Sequence, residues 1–147
     1  MARENELIMI VDDSEKDVQL FRTALEDADV VNPLVHCASY EAAVEYFTDF
    51  GKYVDRKTYP LPLILFLDIY MPGKNGFDLL DWLRENEKIK GLIVIMMSGS
   101  ASQSDISSSY ARGANSYLLK PNSREELIKT LQHFRIYWIE LNQFTSW

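Results

Sequence analysis

LPLILFLDIYMPGKNG (residues 61–76) opens with an uncharged apolar run, stops on an aspartate and breaks into a turn. Leu61–Leu67 shows no polar alternation, so it reads as a strand buried on both faces rather than on one. Asp68 closes the run, and MPGKNG (71–76) supplies the glycines and proline of a turn. Phe77, Leu80 and Leu83 then recur at helical spacing. A strand with no solvent face needs helices on both sides of its sheet, which is the layer pattern of a parallel α/β fold.

The same unit repeats in both directions along the chain. Upstream, Leu7–Val11 (LIMIV) ends at Asp12 and Asp13, and Ser14 is placed to cap a helix carrying Val18, Phe21, Leu25 and Ala28. Pro33–Cys37 reads as a second strand. Ser39 can cap a helix with Ala42, Ala43, Tyr46 and Phe47, with Gly51 as its stop signal and residues 52–60 as a polar loop. Downstream, Leu92–Met97 (LIVIMM) ends at Ser98, and a serine-rich helix follows with Ile106, Tyr110 and Ala114 on one side. Ser116–Leu119 is the fifth strand and ends at Lys120-Pro121, where the proline favours an extended Lys120. The last helix carries Leu127, Leu131, Phe134, Trp138 and Leu141. Five strand–helix units with right-handed crossovers predict a doubly wound five-stranded parallel sheet with helices on both faces.

Composition narrows the function. A chain of 147 residues with 47% hydrophobic residues suits one domain, read here as a core over about 5–138 and a C-terminal helical extension over about 139–147. A net charge of −7 argues against a broad nucleic-acid surface, which needs clustered cations. Cys37 is the one cysteine, so no intrachain disulfide can form, and its apolar surroundings suit core packing in a reducing compartment. The Leu7–Val11 run is too short for a signal peptide or a membrane span, so a cytoplasmic protein with no membrane attachment is expected.

The informative residues are those at the strand ends. In a doubly wound sheet, ligands bind beyond the carboxyl ends of the strands. Asp12, Asp13, Asp68, Ser98 and Lys120 all fall there. Three crowded carboxylates repel one another, and a hard divalent cation with oxygen ligands and retained waters, Mg2+, relieves that repulsion. A carboxylate beside magnesium and a lysine is set up for phosphoryl transfer, which needs mostly positioning and charge neutralisation. Asp68 is then the nucleophile carrying an acyl phosphate. Magnesium and Lys120 hold two phosphoryl oxygens, and Ser98 approaches a third. Alone, Asp12 and Asp13 are equally well read as helix-capping acids. His36 and His133 read as structural or surface residues.

IVDDS (10–14), LDIYMPGKNG (67–76), MMSGSA (96–101) and ARGANSYLLKP (111–121), in this order and spacing, closely resemble the receiver-domain family of response regulators, the CheY-like type. The resemblance runs over roughly residues 5 to 138. It implies a flavodoxin-like fold with strand order 2-1-3-4-5, with Asp68 as phospho-acceptor and Asp13 as a direct magnesium ligand. It further implies Asp12 acting on the metal largely through water, the backbone carbonyl of Tyr70 as a ligand, and Ser98 and Tyr117 as switch residues. Tyr70 and Ser100 fall at modulating positions. A cis Lys120-Pro121 peptide is also a family feature, which the residues alone do not decide. The polar loop before LPLILFLD and the ending FRIYWIELNQ are similar to small receivers associated with bacterial phytochromes. Departures are Ser98 where threonine is commoner, Asn122 where an aromatic is common, and the bulky Tyr70, which is expected to shield an acyl phosphate from water.

The expectation is a stand-alone switch in a two-component phosphorelay. Its partners would be a sensor histidine kinase, phytochrome-type by the sub-family resemblance, or a phosphotransfer protein. It would have no turnover activity beyond Mg-dependent self-phosphorylation and slow autodephosphorylation. Phe134, Tyr137, Trp138, Phe144 and Trp147 exceed what one helical face can bury, so a homodimer through strand five and the C-terminal helices is expected. With no DNA-binding or catalytic domain appended, output falls to partner binding or assembly. Alternatives are a non-phosphorylated pseudo-receiver scaffold, an aspartate-nucleophile phosphatase of the haloacid-dehalogenase type, and a flavodoxin-like flavin binder. The phosphatase needs a second acid two residues after the nucleophile, where this chain has Tyr70. The flavin binder is poorly served by an acidic Asp12-Asp13 loop.

Overall fold

The computed structural model describes residues 3–145. Five strands, β1 (Ile8–Val11), β2 (Leu34–Cys37), β3 (Ile64–Leu67), β4 (Ile93–Ser98) and β5 (Ser116–Leu119), form one sheet in the order β2-β1-β3-β4-β5. Every pairing is parallel, with Val11 opposite both Cys37 and Leu67, and Ser98 opposite Leu119. The expected fold class and strand order are therefore those observed. Among the described residues no helix is long and apolar enough to cross a membrane.

Alternation along the strands divides the core into two layers. Met9, Val11, Leu65 and Leu67 face α2 (Tyr40–Phe47) and α3 (Gly76–Glu85), where Ala43, Phe47, Leu79, Leu80 and Leu83 meet them. Ile8, Ile10, Ile64 and Phe66 face α1 (Glu15–Asp27) and α5 (Arg124–Phe134), packing on Val18, Phe21, Leu25, Leu127 and Leu131. β1 and β3 are buried on both faces, as their unbroken apolar runs require. Each fully buried Leu, Ile or Phe contributes roughly 1.5–3 kcal/mol.

Helix starts follow from side-chain chemistry. Ser14, Ser39, Asn75, Ser102 and Ser123 each accept a hydrogen bond from a backbone N–H three residues on, capping α1, α2, α3, α4 (Gln103–Ala111) and α5. Such a cap contributes about 1 kcal/mol. Asn75 and Asp78 form a complete reciprocal capping box.

Several sequence expectations need correction. β3 begins at Ile64, not Leu61, because Pro60 and Pro62 lack the N–H a central strand must donate. α2 stops at Phe47; Gly51, at φ +57°, instead opens a short 3-10 turn (Gly51–Val54) that runs into the expected loop. That loop is also less polar than it reads, since Tyr53 and Tyr59 pack on Tyr46. On α4 the buried residue is Ser109, whose hydroxyl donates to the Asp105 carbonyl at 2.8 Å, while Tyr110 turns half outward. A satisfied small hydroxyl is cheaper to bury there than a phenol.

The last helix does not continue straight. After Phe134 the chain widens into a π-helical stretch, Arg135–Leu141. One residue is gained per turn, so Ile139 (2% exposed) takes the inward place that α spacing gives to Trp138, and Leu141 is 63% exposed. Of the five aromatics expected to crowd this end, Trp147 lies outside the described residues. Trp138 and Phe144 pack against the α1/α5 layer, and Tyr137 is exposed.

Candidate functional site

The parallel register brings the strand ends to one rim. Asp12 and Asp13 follow β1, Asp68 follows β3, Ser98 ends β4 and Lys120 follows β5. Backbone bonds fix three of these ends: Asp12 N–H donates to Cys37, Asp68 N–H to Val11, and Lys120 N–H to Ser98. Carboxylate oxygens of Asp12, Asp13 and Asp68 all lie within 4.8 Å of one another. Asp12 is buried, Asp68 nearly so and Asp13 exposed, which leaves the cluster open on one side.

Lys120 Nζ lies 3.0 Å from Asp12 Oδ2, 3.0 Å from Asp17 Oδ2 and 3.6 Å from Asp68 Oδ2. The first two are hydrogen bonds and the third is a purely coulombic contact. Burial alone would depress the Lys120 ammonium, but its bonds to Asp12 and Asp17 hold it above the ordinary lysine value. Asp68 is pushed up to about 6. Burial is the main cause; Lys120 pulls the other way, and the Asp12 and Asp13 charges push further up. Burial and the two neighbouring acids outweigh the single Lys120 charge, so the ionised cluster is short of positive charge. Three converging carboxylates with that shortage fit a hard divalent cation with oxygen ligands.

The loops around Asp68 are built by close backbone approach. Gly76 N–H donates to the Ile69 carbonyl at 2.8 Å. A Cβ on Gly76 would come within 2.2 Å of the Asp68 carbonyl oxygen. Of the two glycines in the MPGKNG turn, Gly76 therefore serves by its lack of a side chain, whereas Gly73 supplies the positive φ, +74°. The Lys120-Pro121 peptide, which the residues alone left open, is trans.

Ser98 is buried, and its Oγ accepts from Ser100 N–H at 3.2 Å. Tyr117 is half-buried on β5, with its hydroxyl donating to the Ser100 carbonyl at 2.8 Å. Tyr70 and Ser100 converge on one group that the sequence reading had not singled out. Both hydroxyls donate to Asp105 Oδ2, at 2.6 Å and 2.7 Å. These bonds hold the Asp105 carboxyl below its usual range and the Tyr70 phenol above its own. Asp17 was missed as well. It lies inside α1 rather than at a strand end, so no strand-end pattern pointed to it. His36, read as structural, donates from Nε2 to the Asp12 carbonyl at 2.7 Å and so braces the β1 end.

The model of the response regulator receiver domain family matches residues 8–132. Response regulator Rcp1 of Synechocystis sp. (strain PCC 6803) is 27% identical over 134 residues, 91% of this chain and 89% of its own. The Mn(2+)-bound form of response regulator Rcp1 superposes with a TM-score of 0.83 at 26% identity, covering 96% of this chain and 99% of that one. Bacteriophytochrome response regulator RtBRR superposes with a TM-score of 0.75 at 26% identity, over 97% and 85% of the two chains. The match to the family covers the strands, the acidic rim and Lys120 alike, and this chain belongs to the response regulator receiver domain family.

Proposed function

We propose that this receiver is a phosphorylation switch in which Asp68 accepts a phosphoryl group from a histidine kinase or a phosphotransfer protein. The observation that carries the reading is a largely buried strand-end carboxylate set between two acids and a lysine, 3.6 Å from the ammonium. In the transfer, an Asp68 carboxylate oxygen forms the new O–P bond as the N–P bond of a donor phosphohistidine breaks. The electron pair returns to the donor imidazole. Lys120 is already charged and stands at 3.6 Å from the acceptor oxygen. Charge placed in advance is the main need of such a reaction. Ser98, beside Lys120 on the rim, supplies the hydroxyl that a phosphoryl oxygen attracts, and Tyr117 follows from its bond to the Ser100 carbonyl. The outcome is a shift between two surface states around β4 and β5, not a turnover reaction.

Asp12, Asp13, Asp68 and the Tyr70 carbonyl would hold the cation, read as Mg2+, with Asp12 acting largely through water. When bound it supplies the positive charge that the acidic cluster lacks. That Rcp1 has a Mn(2+)-bound form supports a divalent site of this kind. A phytochrome-type kinase is the favoured partner, since RtBRR is described as a bacteriophytochrome response regulator. Leu119, Ile136, Tyr137 and Leu141 are 42–63% exposed along β5 and the C-terminal turn. This supports a homodimer through that edge, working in the cytoplasm.

The test is incubation with magnesium and acetyl phosphate, followed by intact mass. One phosphoryl group is expected on the wild type and none on Asp68→Ala. An unmodified wild type favours a non-phosphorylated scaffold. Sedimentation as a monomer at high concentration, with and without phosphodonor, removes the dimer.

A further inference from the structure

We propose that Asp17 is a positioning residue for Lys120, fixing its ammonium over the acceptor pocket so that its remaining proton meets a phosphoryl oxygen on Asp68. The inference rests on the phospho-acceptor reading above and adds to it a residue on α1.

The local chemistry releases Asp17 from its usual task. Ser14 caps α1 and accepts from the Asp17 N–H at 3.2 Å. In a reciprocal box the acid at this third position would turn back to the capping N–H, as Asp78 does to Asn75 at 2.8 Å. In α1 the Ser14 N–H is already taken by Asp12 Oδ1 at 2.9 Å. The Asp17 carboxylate instead extends across to Lys120 at 3.0 Å, joining the first turn of α1 to the end of β5.

A lysine ammonium has three protons on a flexible four-carbon stem. Two are directed to Asp12 and Asp17, and Asp68 at 3.6 Å lies beyond hydrogen-bond reach of the third. With Nζ only 3.6 Å from Asp68 Oδ2, the third proton is the one left to engage a phosphoryl oxygen on Asp68 while Lys120 keeps its bond to Asp17. Asp12 is a shared partner, because the same carboxylate belongs to the acidic cluster. Asp17 does not belong to that cluster. It is therefore the anchor that Lys120 keeps when Asp12 is drawn elsewhere. Order imposed before the reaction lowers the entropy lost in reaching the reactive arrangement.

The test uses the full chain and the variants Asp17→Asn and Asp17→Glu. Magnesium affinity and fluoroberyllate affinity in saturating magnesium are read from tryptophan fluorescence, with Asp68→Asn as the blank. Asp17→Asn is expected to weaken fluoroberyllate binding three- to tenfold while leaving magnesium affinity within twofold of wild type, and Asp17→Glu should recover most of the loss. A purely structural role would weaken both ligands together and would overturn the proposal. Unchanged or tighter fluoroberyllate binding in Asp17→Asn would also overturn it, the latter making Asp17 a competitor for Lys120. A wild type that binds magnesium but no fluoroberyllate at all would instead sink the phospho-acceptor reading beneath it.

Discussion

The Tyr70 hydroxyl donates a 2.6 Å hydrogen bond to Asp105 Oδ2, tying the loop after β3 to the first turn of α4. Tyr70 sits two residues beyond Asp68, so its ring spans the gap between the acceptor loop and α4. Replacing it with asparagine removes both the ring and the anchor. Tyr70→Asn is expected to speed loss of the phosphoryl group about three- to tenfold, equivalent to about 1 kcal/mol of lost shielding by the ring. Tyr70→Phe, which keeps the ring, should stay near the wild-type rate. Decay followed by mass after removal of the donor decides it, and an unchanged rate in Tyr70→Asn ends the shielding idea.

Asp68 gives a pH signature in the metal-free protein. Its folded value is about 6 against an ordinary 3.8, so the folded state binds the proton more tightly than the unfolded state. The associated stability is fully present below about pH 4 and is lost as pH rises through about 6. By pH 8 the ionised carboxylate costs on the order of 2–3 kcal/mol, from about two pKa units at 1.36 kcal/mol each. In EDTA, Asp68→Asn should therefore be more stable than wild type at pH 8, and the gap should shrink at pH 4.5. Adding magnesium should stabilise the wild type more than the variant. Urea unfolding at the two pH values checks this, and a wild type more stable than Asp68→Asn at pH 8 contradicts it.

Legibility in the sequence followed the range of the forces involved. Unbroken apolar runs ending in polar residues disclosed β1, β3 and β4, since burial on both faces leaves no alternation; the half-buried edge strands β2 and β5 gave shorter, mixed signals. Residues at strand ends, such as Asp12, Asp68 and Lys120, could be assigned to one rim because the fold brings every strand end to the same edge. Asp17 and Asp105 were not legible. Their partners, Lys120 and Tyr70, lie 103 and 35 residues away in the chain, and only the packed structure pairs them. The buried face of α4 was misread for a related reason. Its inward place went to a serine satisfied by its own helix, a choice invisible to a rule that sorts residues by hydrophobicity.

Arg84 holds together a corner that no motif announced. Its guanidinium donates to the Gly113, Lys90 and Leu92 carbonyls and to Asn115 Oδ1 at 2.7–3.0 Å, joining α3 to the starts of β4 and β5. Arg84→Ala leaves several half-buried carbonyls without donors and should cost roughly 2–4 kcal/mol. Arg84→Lys should recover little, because a point charge cannot reproduce the planar fork. Chemical denaturation measures both, and a loss below about 0.5 kcal/mol in Arg84→Ala would mean that water replaces the network freely.

The π-helical end makes a prediction that separates two registers of one segment. If α5 ran straight past Phe134, α spacing would carry Trp138 and Leu141 inward. With the wide turn, Ile139 goes inward at 2% exposure and Leu141 outward at 63%. Ile139→Ala should therefore cost about 2–5 kcal/mol, the range for emptying a buried aliphatic site. Leu141→Ala should stay within about 0.5 kcal/mol, as surface changes do. Thermal unfolding should be run at low protein concentration, because Leu141 also lies on the edge assigned to the dimer. At high concentration the same Leu141→Ala change should weaken self-association while leaving monomer stability intact. A costly Leu141→Ala beside a neutral Ile139→Ala in dilute solution would mean that the segment continues as a plain α-helix. The apolar edge assigned to the dimer would then lose Leu141.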